Sequence, residues 1–233
     1  MVEKLERLIL LVAPVGAGLA FPVTLWAVFF WVPTDVGLGL SQRIFYYHVP
    51  SATMSFVAFA SAGIASAVFL ARNDSDWDHA ARAAVGVGMV FATILLVTGS
   101  IWARTAWGTW WTWDARLTTF LILWLVFASY VLLRSFASES EMGPRYAAVL
   151  AIAGALNIPL VMMATRLWRT IHPQVIRNPE GGIQEPAMRI TLGLCMIAFL
   201  LLFTWLWALR TRVLRLSERI DTLVADSEEG GRY

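Results

Sequence analysis

Six apolar stretches, each near the length that crosses a bilayer, constrain this chain more than any other feature. A bilayer core takes about 20 consecutive apolar residues in helical form. Stretches of that size occupy roughly 8–31, 51–71, 83–103, 117–135, 146–166 and 187–209. Polar segments separate them. Arg72 to Arg82 holds Asn73, Asp74, Asp76 and Asp78, and Ser135 to Arg145 holds Glu139, Glu141, Gly143 and Pro144. In lipid every backbone N–H and C=O must be satisfied internally, and segments of this length and composition do so as helices. The expected fold is therefore an all-α integral membrane protein. It has six transmembrane helices, both termini cytoplasmic, and short outer loops that form a site.

Composition agrees. A mean hydropathy of +0.65 exceeds what a soluble chain needs to fill a core. Met1 to Arg7 carries both signs of charge and leads into an apolar run too long for a signal-peptide core, so it reads as the first span. The single Cys195 lies inside an apolar stretch, which excludes an internal disulfide and a thiol pair. The reading divides the chain into a six-span membrane domain, 1–209, with a tryptophan-rich outer loop at about 104–116, and a charged cytoplasmic tail, 210–233. In the tail Val213, Leu216, Ile220 and Leu223 recur at helical spacing, so the last helix is expected to continue past the membrane.

An even number of spans puts both termini on one side. That side carries eleven Lys and Arg, the other seven: Arg43, Arg104, Arg116, Arg166, Arg169, Arg177 and Arg189. The excess places the termini inside. The outer side has only four acids, Asp35, Asp114, Glu180 and Glu185, so it is net positive. A lone Arg at this level snorkels to headgroups as readily as it binds an anion. Outer positive charge works against orientation, and the set as a whole favours an anionic ligand.

The same parity sorts the three His. His48 lies between spans one and two and His172 between spans five and six, both outside; His79 lies between spans two and three, inside. Between the two outer His, in sequence order, comes Trp107-Gly108-Thr109-Trp110-Trp111-Thr112-Trp113-Asp114. Trp26, Trp31, Trp205 and Trp207 suit an aromatic belt, which takes one or two indoles per helix end. Four Trp within seven positions do not. On one helix they would cover more than one face, so part of the run is expected to be non-helical. Asp114 directly precedes span four and also suits its N-cap.

Two imidazoles, a planar aromatic surface and surplus Arg form a chemical set. Imidazoles from two segments can occupy both axial positions of an iron porphyrin. Indoles can pack on its face or edge, and Arg can pair with its carboxylates. Zinc held by two His and an Asp is the weaker alternative, since nothing in that chemistry calls for four Trp. Ser-His-Asp sets, phosphate loops and paired carboxylates are not evident, which argues against an enzyme.

The residues Trp107-Gly-Thr-Trp110-Trp111-Thr-Trp113-Asp114-Ala-Arg116-Leu117-Thr118 resemble the tryptophan-rich (WWD) signature of the CcmC-type haem-handling proteins of bacterial cytochrome c maturation. Arg43-Ile-Phe-Tyr-Tyr-His48-Val-Pro50 and the segment Trp168 to His172 support the resemblance, which extends to about residue 210. It implies a multi-pass protein of the bacterial cytoplasmic membrane that holds haem b at the outer face. It implies presentation of that haem to the periplasmic chaperone CcmE, with CcmA, CcmB and the small CcmD as partners alongside membrane lipid and no nucleic acid. ATP hydrolysis, where used, falls to a partner subunit. By match, His48 and His172 are axial iron ligands, and Trp107, Gly108, Trp110, Trp111, Trp113 and Asp114 form the haem-presenting loop. Arg43 and Arg116 are assigned to the propionates on charge and placement. Two other readings stand beside this one: a haem-translocating permease, and a b-type electron-transfer subunit. The first would want polar residues through the spans, where Thr24, Ser55, Thr93, Asn157 and Thr165 are scattered and uncharged. The second generally places its His within the spans.

Overall fold

A computed structural model describes residues 2–136, 142–168, 170–172, 183 and 185–230. Glu139, Glu141, Arg169, Pro173, Arg177, Glu180 and Arg232 lie outside the described residues. Six α-helices follow in order: α1 (Val2–Trp26), α2 (Phe45–Arg72), α3 (Ser75–Trp107), α4 (Ala115–Phe136), α5 (Gly143–Leu167) and α6 (Pro186–Gly230). All six are long and apolar enough to cross a membrane, as the hydropathy pattern predicts. The chain is a multi-pass, all-α membrane protein.

The boundaries differ from the sequence reading in ways that move residues of interest. Span two was expected to begin after Pro50, but α2 begins at Phe45 and is preceded by a 3-10 turn, Leu40–Ile44. Pro50 thus stands inside α2, where a membrane helix tolerates it when neighbouring helices and hydroxyl side chains satisfy the freed backbone group. His48 therefore sits on the first turn of a helix, not in a loop. The expected inner loop 72–82 shrinks to Asn73 and Asp74. Asn73 takes the left-handed conformation (φ 53°) that ends α2, and the Asp74 carboxylate accepts from Asp76 N at 3.0 Å to cap α3. Helix α6 continues from the last span into the charged tail, ending at Gly230.

Helix α2 is the hub. It packs on α3, α5 and α6, and small residues set how closely. A Cβ at Gly63 would come 2.4 Å from the Ala155 Cβ of α5, and one at Gly88 of α3 would come 2.8 Å from the Ala58 Cβ of α2. Close backbone approach of this kind substitutes for the hydrophobic driving force that lipid removes. Phe59 of α2 stacks on Phe127 of α4, with centroids 3.9 Å apart and planes 5° from parallel. This packing makes a rigid frame with α1 and α6 paired on one flank and α4 and α5 on another. The start of α2, the end of α3 and the start of α4 are thereby held near one another.

Candidate functional site

Helix α3 ends at Trp107, because Gly108 adopts φ +76° and its N–H returns to the Arg104 carbonyl at 3.2 Å. Arg104 closes the turn from the other side by donating to the Gly108 carbonyl. Gly108, expected among the binding residues, thus has a clear backbone role. Residues 108–114 have no regular structure, so the Trp run is partly non-helical, as its four-sided pattern predicts. The indoles separate into two kinds. Trp107 and Trp111 are half-buried: Trp107 meets Trp102 edge-on at 5.2 Å, and Trp111 meets Trp113 edge-on at 6.1 Å. Trp110 and Trp113 are 59% and 77% exposed. Of the four, only these two present open aromatic surface, and Trp111 backs Trp113.

Asp114 does more than cap a helix. Its Oδ1 accepts from Arg116 N at 3.0 Å, which caps α4. The same carboxylate accepts from Thr170 Oγ1 at 2.8 Å and from Ile171 N at 3.1 Å. Thr170 in turn accepts from His172 N at 3.0 Å. One carboxylate therefore fastens the His172 segment to the Trp loop across more than fifty residues of chain. Burial pushes the Asp114 carboxyl up, but the Thr170 hydroxyl, the two backbone donors and the His172 charge outweigh it. The net effect holds Asp114 below the usual carboxylate range. With its oxygens taken by these donors, Asp114 is an organiser rather than a metal ligand.

On the other side of the site, His48 Nδ1 lies 3.0 Å from Thr98 Oγ1 of α3. The Thr98 hydroxyl donates its own hydrogen to the Ile94 carbonyl at 2.7 Å. It is therefore left to accept, which assigns the imidazole proton to Nδ1 and the lone pair to Nε2. Gly99 makes room for the ring, since a Cβ there would stand 3.0 Å from His48 Cε1. Sequence reasoning missed Thr98 and Gly99. A hydroxyl fifty positions from the His it serves leaves no mark on spacing.

His172 and Arg116 both lie within electrostatic range of His48. The structure thus brings together four predicted elements: the two outer His, Arg116 and the Trp loop through Asp114. Arg43 sits on a neighbouring wall. Its guanidinium carbon is 5.8 Å from the Phe29 ring centroid, and it lines a cleft of about 470 Å³ with Phe29, Leu40, Ile44, Tyr47 and Thr98. This volume is in the range of small-molecule sites. Several donors here are buried without an acceptor among the described residues: Arg43 Nε, Trp111 Nε1, Thr112 Oγ1 and Thr118 Oγ1. Buried donors are normally paired. Two imidazoles, unpaired donors and a neighbouring apolar cleft are the donor set that a flat, anionic, metal-bearing ligand calls for.

Known proteins with this sequence pattern have a name. Residues 2–226 match the family CcmC, described as heme exporter protein C. Heme exporter protein C of Bradyrhizobium diazoefficiens is 37% identical over 186 residues, 78% of this chain and 71% of its own length. The Escherichia coli K12 protein of the same name is 35% identical over 184 residues, covering 79% of this chain and 74% of that one. A Marchantia polymorpha protein described as a putative cytochrome c biosynthesis ccmC-like mitochondrial protein is 30% identical over 208 residues, 88% of this chain and 89% of that one. With its six membrane-length helices and nearly its whole length matched, this chain belongs to the CcmC, heme exporter protein C, family.

Proposed function

We propose that this chain handles haem for cytochrome c maturation by holding haem b at the outer membrane face, through His48, His172 and the Trp loop. Family membership supports the general role. The observation that carries the specific reading is the Asp114 clamp, which ties the segment bearing His172 to the Trp loop beside His48. Haem is cargo here, not a resident catalyst.

His48 offers Nε2 to the iron because Thr98 occupies Nδ1, and His172 supplies the opposite ligand. Arg116, within range of His48, and Arg43, on the cleft wall, meet the propionates. Trp111 Nε1 and Thr112 Oγ1, buried without a partner among the described residues, are further donors for the same anionic edge. The exposed rings of Trp110 and Trp113 cover the macrocycle on its solvent side and leave an edge open to an acceptor. That acceptor is the periplasmic chaperone CcmE, and CcmA, CcmB and CcmD complete the assembly in the bacterial cytoplasmic membrane. This chain binds and transfers without catalysing a reaction of its own, and ATP hydrolysis falls to a partner subunit.

Spectroscopy of the purified protein tests the reading. It should carry haem with a low-spin bis-His spectrum, and His48→Ala and His172→Ala should each lose that spectrum. If both variants keep the haem content and Soret band of the parent, the ligand assignment is wrong.

A further inference from the structure

At the opposite end of the bundle, the structure gathers cations that the haem reading does not use. Arg134 of α4 and Arg210 of α6 both act electrostatically on Arg82 of α3, with Asp78 as the acid beside it. Asp78 is engaged already: Arg134 Nη2 donates to its Oδ2 at 2.8 Å. Arg134 Nη1 is buried with no acceptor, and Arg82 and Arg210 make no ion pair or hydrogen bond among the described residues. Nearby cations on α6 differ. Arg215 meets Glu6 at 3.0 Å and Asp76 at 2.8 Å. Arg82 and Arg134 thus share one carboxylate, Asp78, and Arg210 adds a third guanidinium beside Arg82.

The surface below the cluster is equally specific. With 3.6 residues per turn, Arg82, Gly86, Val90, Ile94 and Val97 fall on one face of α3. Helix α2 lies on the opposite face, against Gly88. Helix α4 flanks one edge, where Trp124 Nε1 donates to Thr93 Oγ1 at 3.1 Å. Helix α6 flanks the other, where Trp207 Nε1 donates to the Ala80 carbonyl at 2.9 Å and Phe199 and Phe203 pack on Phe91. Between them Val90, Ile94 and Val97 are exposed. The Arg210 side chain hangs over Gly86, where a Cβ would still stand 3.9 Å from Nε. The result is an apolar groove running along the membrane-spanning helix from a basic rim.

We infer that this groove binds an anionic phospholipid in the leaflet on the side of the chain termini. Its phosphate meets Arg82 and Arg210 beside Arg134, and an acyl chain lies along Gly86, Val90, Ile94 and Val97. The cations account for the headgroup charge, and the continuous apolar face below them selects a lipid over a free anion.

The test uses the full-length protein in detergent. Retained lipid is counted by native mass spectrometry during titration with phosphatidylglycerol or phosphatidylcholine, and thermal unfolding is followed with each lipid and with inorganic phosphate. The parent should retain phosphatidylglycerol preferentially and melt higher with it. Arg82→Gln should weaken retention about fivefold, and Arg82→Gln with Arg210→Gln on the order of 30-fold. Both Arg are exposed and unpaired, so melting without lipid should not change. Gly86→Leu, which projects into the groove, should also weaken retention. Equal retention of the two lipids, undiminished retention in the double variant, or a shift with inorganic phosphate as large as with phosphatidylglycerol would each overturn the inference.

Discussion

Thr98→Val isolates one hydrogen bond at the site and leaves its shape alone. Valine matches threonine in volume and χ1 preference, so α3 should not move. Two things are lost: the acceptor 3.0 Å from His48 Nδ1 and the hydroxyl's bond to the Ile94 carbonyl. The second is inconsequential, because the Ile94 carbonyl retains its place in the helical ladder. The first leaves the imidazole N–H of a half-buried His without a partner. An unsatisfied buried donor costs about 1–3 kcal/mol. The ring can escape that cost by turning or by moving its proton to Nε2, and either change withdraws the lone pair that the proposed ligation uses. Partners that orient a metal-bound His are worth roughly 10–100-fold in metal affinity, about 1.4–2.8 kcal/mol, which matches the cost of the orphaned donor. The assay is a haem titration followed at the Soret band, with thermal melting as the control for folding. Thr98→Val should weaken haem by roughly 10-fold or more and Thr98→Ser should bind like the parent. Parental affinity in Thr98→Val, at parental melting temperature, would refute the tautomer argument.

Other consequences follow from the same contacts. Asp114→Ala removes the acceptor for Thr170, Ile171 and Arg116 N–H, and should lower thermal stability by about 2–3 kcal/mol at roughly 1 kcal/mol per bond while also weakening haem retention; Asp114→Asn should fall between this variant and the parent. Because the folded Asp114 carboxyl lies below its unfolded value, its contribution is present above about pH 4 and is lost as pH falls through the lowered value. Acid unfolding of the parent should therefore show a component missing from Asp114→Asn. Gly88→Val forces a branched side chain into space where even a Cβ lies 2.8 Å from Ala58, and should cost about 1–3 kcal/mol or more in a detergent melt. Asp78→Ala strands Arg134, whose side chain is only 13% exposed, and should destabilise by roughly 3–5 kcal/mol; Asp78→Ala combined with Arg134→Leu should recover most of that loss.

Which parts of this molecule can be read without coordinates depends on the range of the forces involved. The six spans, the common side of the termini and the placement of His48, His172 and the Trp run together on the other side follow from hydropathy and parity. These are local quantities summed along the chain. The partial unwinding of the Trp run is equally legible, because four indoles in seven positions cannot share one helix face and Gly108 stands ready to end α3. The N-cap role of Asp114 is visible for the same local reason.

Tertiary structure decided the rest. Helix α2 begins at Phe45 despite Pro50, because the 3-10 turn and packing on α3 organise its first turn, and that put His48 on a helix. Thr98 and Gly99 meet His48 only because α2 and α3 lie side by side, and Thr170 meets Asp114 only because α4 and α5 do. The Trp residues looked alike in sequence, yet burial divides them into supports and open surface. The residues alone thus determine six spans with an aromatic and imidazole set on one common side. Packing between distant helices determines which His nitrogen is free, which carboxylate is engaged and which indoles are exposed, since these properties arise from contacts that no one-dimensional spacing encodes.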